Sequence, residues 1–177
     1  MNSVANRWEF VLDERFSKQQ ILRLAETLHH DEAGISDVCR TMLYATRVRS
    51  SYNAAWILHH LATADKKIYL KDWFPVIANF AISPSLSIRR GLVLSILVDL
   101  ADEAPMQTDL LDFCLTHLAD QKESDSSRSM MIKLAARICK PYPELSDELI
   151  CCLDVLQYDA KPSISAARRN ALKYLRA

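Results

Sequence analysis

Apolar residues recur at intervals of three and four along most of the chain, as at Ile21, Leu24, Ala25 and Leu28, and again at Leu92, Ile96 and Leu100. That period gives a helix one apolar stripe to bury and one polar face for water. The breaks between such stretches carry helix-start chemistry, because Ser and Asp accept hydrogen bonds from the first free amides and Pro fits an early helical position. Ser17 with Gln20 has the pattern of a capping box. Further starts are expected at Ser36, Ser50, Asp72 ahead of Pro75, Ser85 after Pro84, Pro105, Ser126, Ser146, and Ser163 after Pro162. Together they predict about ten helices with short connectors. Gly34 and Gly91 are the only glycines, and no Asn-Gly or Asp-Gly dipeptide occurs, so the usual tight turns between strands are missing. The expected class is all-α.

Short connectors turn successive helices back on one another, which makes the helical hairpin the natural unit. Four segments then align as second helices: Ser51 to Trp56, Ile88 to Val93, Ser127 to Ile132 and Ala167 to Leu172. Their matched positions are Tyr52, Arg89, Arg128 and Arg168, at steps of 37, 39 and 40 residues. Gln19 extends the column backwards by 33 residues, with Leu22 and Leu28 matching Ala55 and Leu61. A Ser-rich turn, an apolar residue, Arg, and then small or apolar residues at this spacing resemble the HEAT and armadillo class of α-solenoids. The resemblance covers nearly the whole chain and implies an α-α superhelix of about five antiparallel hairpins, forming a single repeat domain over residues 1–177. In such folds one hairpin cannot bury its stripe alone, and stacked neighbours share a core. Small residues at Ala54, Gly91, Asn170 and Ala171 would let the paired helices approach closely.

Composition narrows the class of function. Of 177 residues, half are apolar, and 22 basic side chains balance 22 acidic ones, so global charge calls for no polyanionic partner. The segment from Met1 to Phe16 carries Arg7, Glu9, Asp13, Glu14 and Arg15 and lacks the apolar centre of a secretory signal. No run of eighteen apolar residues occurs. The expectation is a cytoplasmic protein without membrane contact. Five cysteines, Cys39, Cys114, Cys139, Cys151 and Cys152, contain no C-x-x-C pair, which argues against a disulfide framework or a zinc cage. The adjacent pair Cys151 and Cys152 would diverge by about 100° on a helix, which disfavours a redox site.

Charge is nevertheless uneven along the chain. Arg89, Arg128 and Arg168 recur once per repeat, and Arg90, Lys133, Arg137, Arg169, Lys173 and Arg176 add cations to the same helices. In HEAT-like proteins the repeated arginine often ties neighbouring repeats together, so the resemblance implies a structural part for it. The functional alternative is a concave basic strip of Arg89, Arg90, Arg128, Lys133, Arg168, Arg169 and Lys173 that binds an acidic peptide, a phosphate or nucleic acid. From Asp99 to Asp125 the bias reverses, with Asp102, Glu103, Asp109, Asp112, Asp120 and Glu123 between.

Candidate chemistry is thin. The doublets His29-His30 and His59-His60 invite a metal, yet adjacent helical residues diverge, and Glu26 with His30 alone has the spacing that chelation from one helix needs. No metal or cofactor is expected. Trp8, Trp56 and Trp73 are an ordinary supply for packing. No G-x-S-x-G, H-E-x-x-H or glycine-rich phosphate loop occurs. Ser126 to Lys133 resembles the Ser-Ser-x-Met-Pro-x-Lys loop of the fumarase and adenylosuccinate lyase superfamily, but with one residue inserted and without the Pro and Gly. The stretch reads better as a capped helix. The reading is therefore a non-enzymatic scaffold or adaptor whose partner is another protein with an acidic segment. A nucleic-acid-binding protein, similar in architecture to HEAT-like DNA glycosylases, is the second reading, although no residue here matches their catalytic acid. A lyase is the third.

Overall fold

A computed structural model describes residues 7–102, 104–159 and 161–177. Among them are eleven α-helices: α1 (Arg7–Val11), α2 (Lys18–Thr27), α3 (Glu32–Tyr44), α4 (Val48–His60), α5 (Thr63–Tyr69), α6 (Phe74–Ile82), α7 (Arg90–Leu100), α8 (Thr108–His117), α9 (Asp125–Cys139), α10 (Pro143–Asp154) and α11 (Pro162–Arg176). Short 3-10 turns at Lys71–Trp73 and Val155–Tyr158 extend the third and fifth hairpins. No strand occurs among the described residues. The all-α class and the five hairpins expected from periodicity are present, with α2, α4, α7, α9 and α11 as the second helices.

The chain divides into two compact units, Met1–Leu100 and Ala101–Ala177. In the first, α4 packs on α2, α3 and α7, and α7 also meets α5 and α6. Eight of the eleven residues of α7 are buried. A helix flanked by neighbours on several sides has to be apolar nearly all round, and the run Leu92 to Leu97 supplies that. In the second unit α9 is central, touching α8, α10 and α11. Its Met131, Ile132 and Leu134 are completely buried, and each such side chain contributes about 1.5–3 kcal/mol by leaving water.

Helix starts follow the expected chemistry with shifts that have a cause. Ser17 and Gln20 form the capping box, the Gln20 amide donating to Ser17 Oγ at 3.3 Å and the Ser17 amide to Gln20 Oε1 at 2.8 Å. Helix α3 begins earlier than Ser36, because Asp31 accepts from the Gly34 amide at 3.0 Å. A β-carbon at Gly34 would lie 2.3 Å from that same carboxylate, so the cap needs glycine there. Ser50 and Ser146 sit inside their helices and turn inward, donating to the carbonyls of Glu9 and Cys139 at 2.6 and 2.9 Å. Ser124, two residues before the expected Ser126, caps α9. At Ser85 no helix starts; its hydroxyl bonds Ser83 Oγ within a turn, and α7 begins at Arg90.

Candidate binding groove

An α-helix leaves its last carbonyls without intrahelical donors. In four hairpins a side chain near the start of the second helix fills that need. Ser51 Oγ donates to Met42 O at 2.6 Å, Arg90 Nη1 to Ala81 O, Arg128 Nε to Leu118 O at 3.0 Å and Arg168 Nε to Leu153 O at 2.8 Å. The capping column therefore runs Ser51, Arg90, Arg128, Arg168, one residue off the alignment of Tyr52 and Arg89 in the first unit. Tyr52 and Arg89 meet instead as a cation–π pair, the guanidinium 5.7 Å from the ring centre.

Arg128 goes furthest inward. Its side chain has no exposed surface, and beyond the Leu118 carbonyl it donates to Asp159 Oδ2 at 2.6 Å. A guanidinium enclosed this way is not available to a ligand. Arg168 is less enclosed, 23% exposed, and pairs with Asp154 at 3.2 Å. Arg89, Lys133, Arg169 and Lys173 are exposed. Arg89 and Arg90 belong to the first unit and the other five expected strip residues to the second. Within the second unit, Arg168, Arg169 and Lys173 come together. With Arg176 and the apolar Leu156 and Leu172 they line a groove of about 450 Å³ between α11 and the preceding 3-10 turn. Among the described residues no carboxylate pairs with Arg169, Lys173 or Arg176. Four members of the acidic stretch have partners: Asp99 pairs with Lys66, Asp102 with Arg137, Asp125 lies 3.7 Å from Lys161, and Asp120 accepts from the Lys122 amide. Glu103 lies outside the described residues.

The model of the HEAT repeat domain family matches residues 8–175. The chain belongs to that family. The match runs through both units and all five hairpins. A crystal structure of an engineered protein is similar at 13% identity, with a TM-score of 0.49, covering 99% of this chain and 97% of that one. No curated protein matches.

The remaining sequence candidates are absorbed by this HEAT domain. Ser126 to Lys133 is continuous helix, in which Ser127 bonds Ser124 and Ser129 Oγ donates to Asp125 O, so the lyase-like stretch is no loop. His59 Nδ1 lies 2.6 Å from Ser95 Oγ. Trp56 packs on Tyr52, and Trp73 lies under Arg40. Cys39, Cys114 and Cys139 are buried, and desolvation pushes their thiols up to about 12, which leaves them unreactive near neutrality. No helix among the described residues is long and apolar enough to cross a membrane.

The Arg128–Asp159 contact carries a pH signature. The Lys161 amide, first, and then the Arg128 guanidinium hold the Asp159 carboxyl below the ordinary carboxylate range, against the opposing effect of burial. A depressed folded-state value stabilises the protein above the unfolded pKa of about 3.9, and that stability is lost as pH falls through the lowered value. Asp159→Asn should therefore lower the urea midpoint clearly at about pH 6, and the gap from wild type should close towards about pH 2. A gap unchanged across that range would show that the carboxylate is not held by these donors.

Proposed function

We propose that the protein is a non-enzymatic binding scaffold whose α11 groove docks an acidic segment of another protein. One observation carries this reading: Arg169, Lys173 and Arg176 present unpaired cations beside an apolar floor of Leu156 and Leu172. Unpaired charge on one face favours an anionic partner, and the leucines favour one with apolar side chains between its carboxylates. A phosphate backbone would use the cations and leave the leucines idle, which is why protein ranks ahead of nucleic acid. The HEAT family supports binding as the class of activity. We place the activity in the cytoplasm, where five free thiols stay reduced.

Fluorescence anisotropy separates the partners. A labelled peptide bearing glutamates and leucines should bind, with affinity falling modestly as salt rises. A single-stranded oligonucleotide contacting the three free cations would give a log–log salt slope of about −2. Tight oligonucleotide binding with that slope, and none to the peptide, would overturn the reading in favour of nucleic acid.

A further inference from the structure

The His29-His30 doublet does not diverge as two helical neighbours would. Helix α2 ends at Thr27 with Leu28 as its cap, so both histidines lie beyond it. His30 has a φ of 59°, the left-handed region that a β-carbon disfavours. This turn brings both rings to one point, with centres 3.7 Å apart. They face Asp65 on α5: His29 Nδ1 lies 2.7 Å from Oδ2, and His30 Nδ1 lies 3.1 Å from Oδ1. The Asp65 side chain is 1% exposed, whereas the two imidazoles are 57% and 64% exposed. Asp65 Oδ1 accepts no hydrogen bond of normal geometry. Its neighbour Lys66 gives no help, because that ammonium is directed to His59 O and Asp99.

A buried carboxylate with one unsatisfied oxygen is costly unless a cation answers it. The imidazoles of His29 and His30 bring two ring nitrogens to the same spot. We propose that His29, His30 and Asp65 form a binding site for a divalent d-block cation, with Zn²⁺ the best fit. The three donor atoms lie within 4.8 Å of one another. Tetrahedral zinc at about 2.0–2.2 Å from each donor needs them about 3.3 Å apart. To reach that, the exposed rings must shift, opening the 2.7 Å contact with Asp65 and drawing in the widest pair, which lies within 4.8 Å. Two imidazoles and one carboxylate suit zinc over calcium or magnesium, which take oxygen ligands. The fourth position faces solvent on the histidine side, open to water or a donor from another molecule. The cation joins the end of α2 to α5 within the first unit and answers the buried Asp65 oxygen that no hydrogen bond satisfies.

The test uses the full chain stripped with chelator and titrated with Zn²⁺ by calorimetry at about pH 7.5. His30→Gly deletes one ligand while suiting the left-handed backbone, and His29→Gln deletes the other on an exposed side chain. Cys151→Ser with Cys152→Ser controls for zinc capture by the exposed thiol pair. Expected is one equivalent bound by wild type and by the cysteine variant. Both histidine variants should stay folded, with a lowered melting temperature because Asp65 loses a partner, and lose affinity by at least the roughly 100-fold that follows removal of a group merely supporting a ligand. No uptake by wild type, uptake that survives either histidine change, or uptake abolished by the cysteine changes would each overturn the site.

Discussion

Replacing Arg128 with methionine should destabilise the protein by about 3–5 kcal/mol, read as a lower urea midpoint at unchanged slope. Methionine keeps most of the aliphatic volume, so the effect is electrostatic and not a cavity. What remains is Asp159, whose side chain is only 9% exposed, facing no guanidinium, and the Leu118 carbonyl without its donor. Coulomb attraction is scarcely screened there, because Arg128 has no contact with water. Arg128→Lys should recover less than half, since one ammonium cannot reproduce a fork aimed at two acceptors. Arg168 makes the internal comparison. It holds the equivalent carbonyl, but its partner Asp154 is 61% exposed. Water and salt dissipate that pair, so Arg168→Met should cost about 1 kcal/mol or less. Equal losses at the two positions would mean that burial does not set the worth of these arginines.

Lys66→Met is expected to cost about 2–3 kcal/mol. Lys66 is 3% exposed, and its ammonium lies 2.6 Å from His59 O and 2.7 Å from Asp99 Oδ2. It does for the C-terminus of α4 what the arginines do for α6, α8 and α10. The loss is smaller than at Arg128 because Asp99, 30% exposed, can turn back to water. A cycle with Asp99→Asn should show the two changes to be non-additive by about 1–2 kcal/mol. Additive losses would assign Lys66 to packing alone.

These two residues also mark where sequence reasoning stops. The five second helices were readable because a stripe of apolar side chains at helical spacing has one physical meaning. Helix α5 is not legible in the sequence, because Asp65, Lys66 and Lys67 occupy three of its seven positions, and a short helix that buries two charges shows no stripe. For Arg128 the sequence leaves a structural tie and a surface strip both open, since charged residues are seldom fully enclosed. Its partner Asp159 lies 31 residues away, on a turn after α10, beyond the reach of any local pattern. The histidine doublet lies past the end of α2, where helical spacing no longer sets the direction of the rings, so their convergence is not legible in the sequence. On α11, by contrast, Arg169 and Lys173 are four apart and share a face by simple periodicity, so the groove residues were in view from the start.

The central claim divides the basic residues in two, with enclosed arginines holding the hairpins and the exposed cations of α11 docking an acidic partner. The most direct test is an anisotropy titration of the acidic peptide against Arg169→Glu with Lys173→Glu, alongside its melting curve. Expected are a loss of affinity of more than about tenfold and a melting temperature within a few degrees of wild type. Unchanged affinity in a folded double variant would contradict the claim.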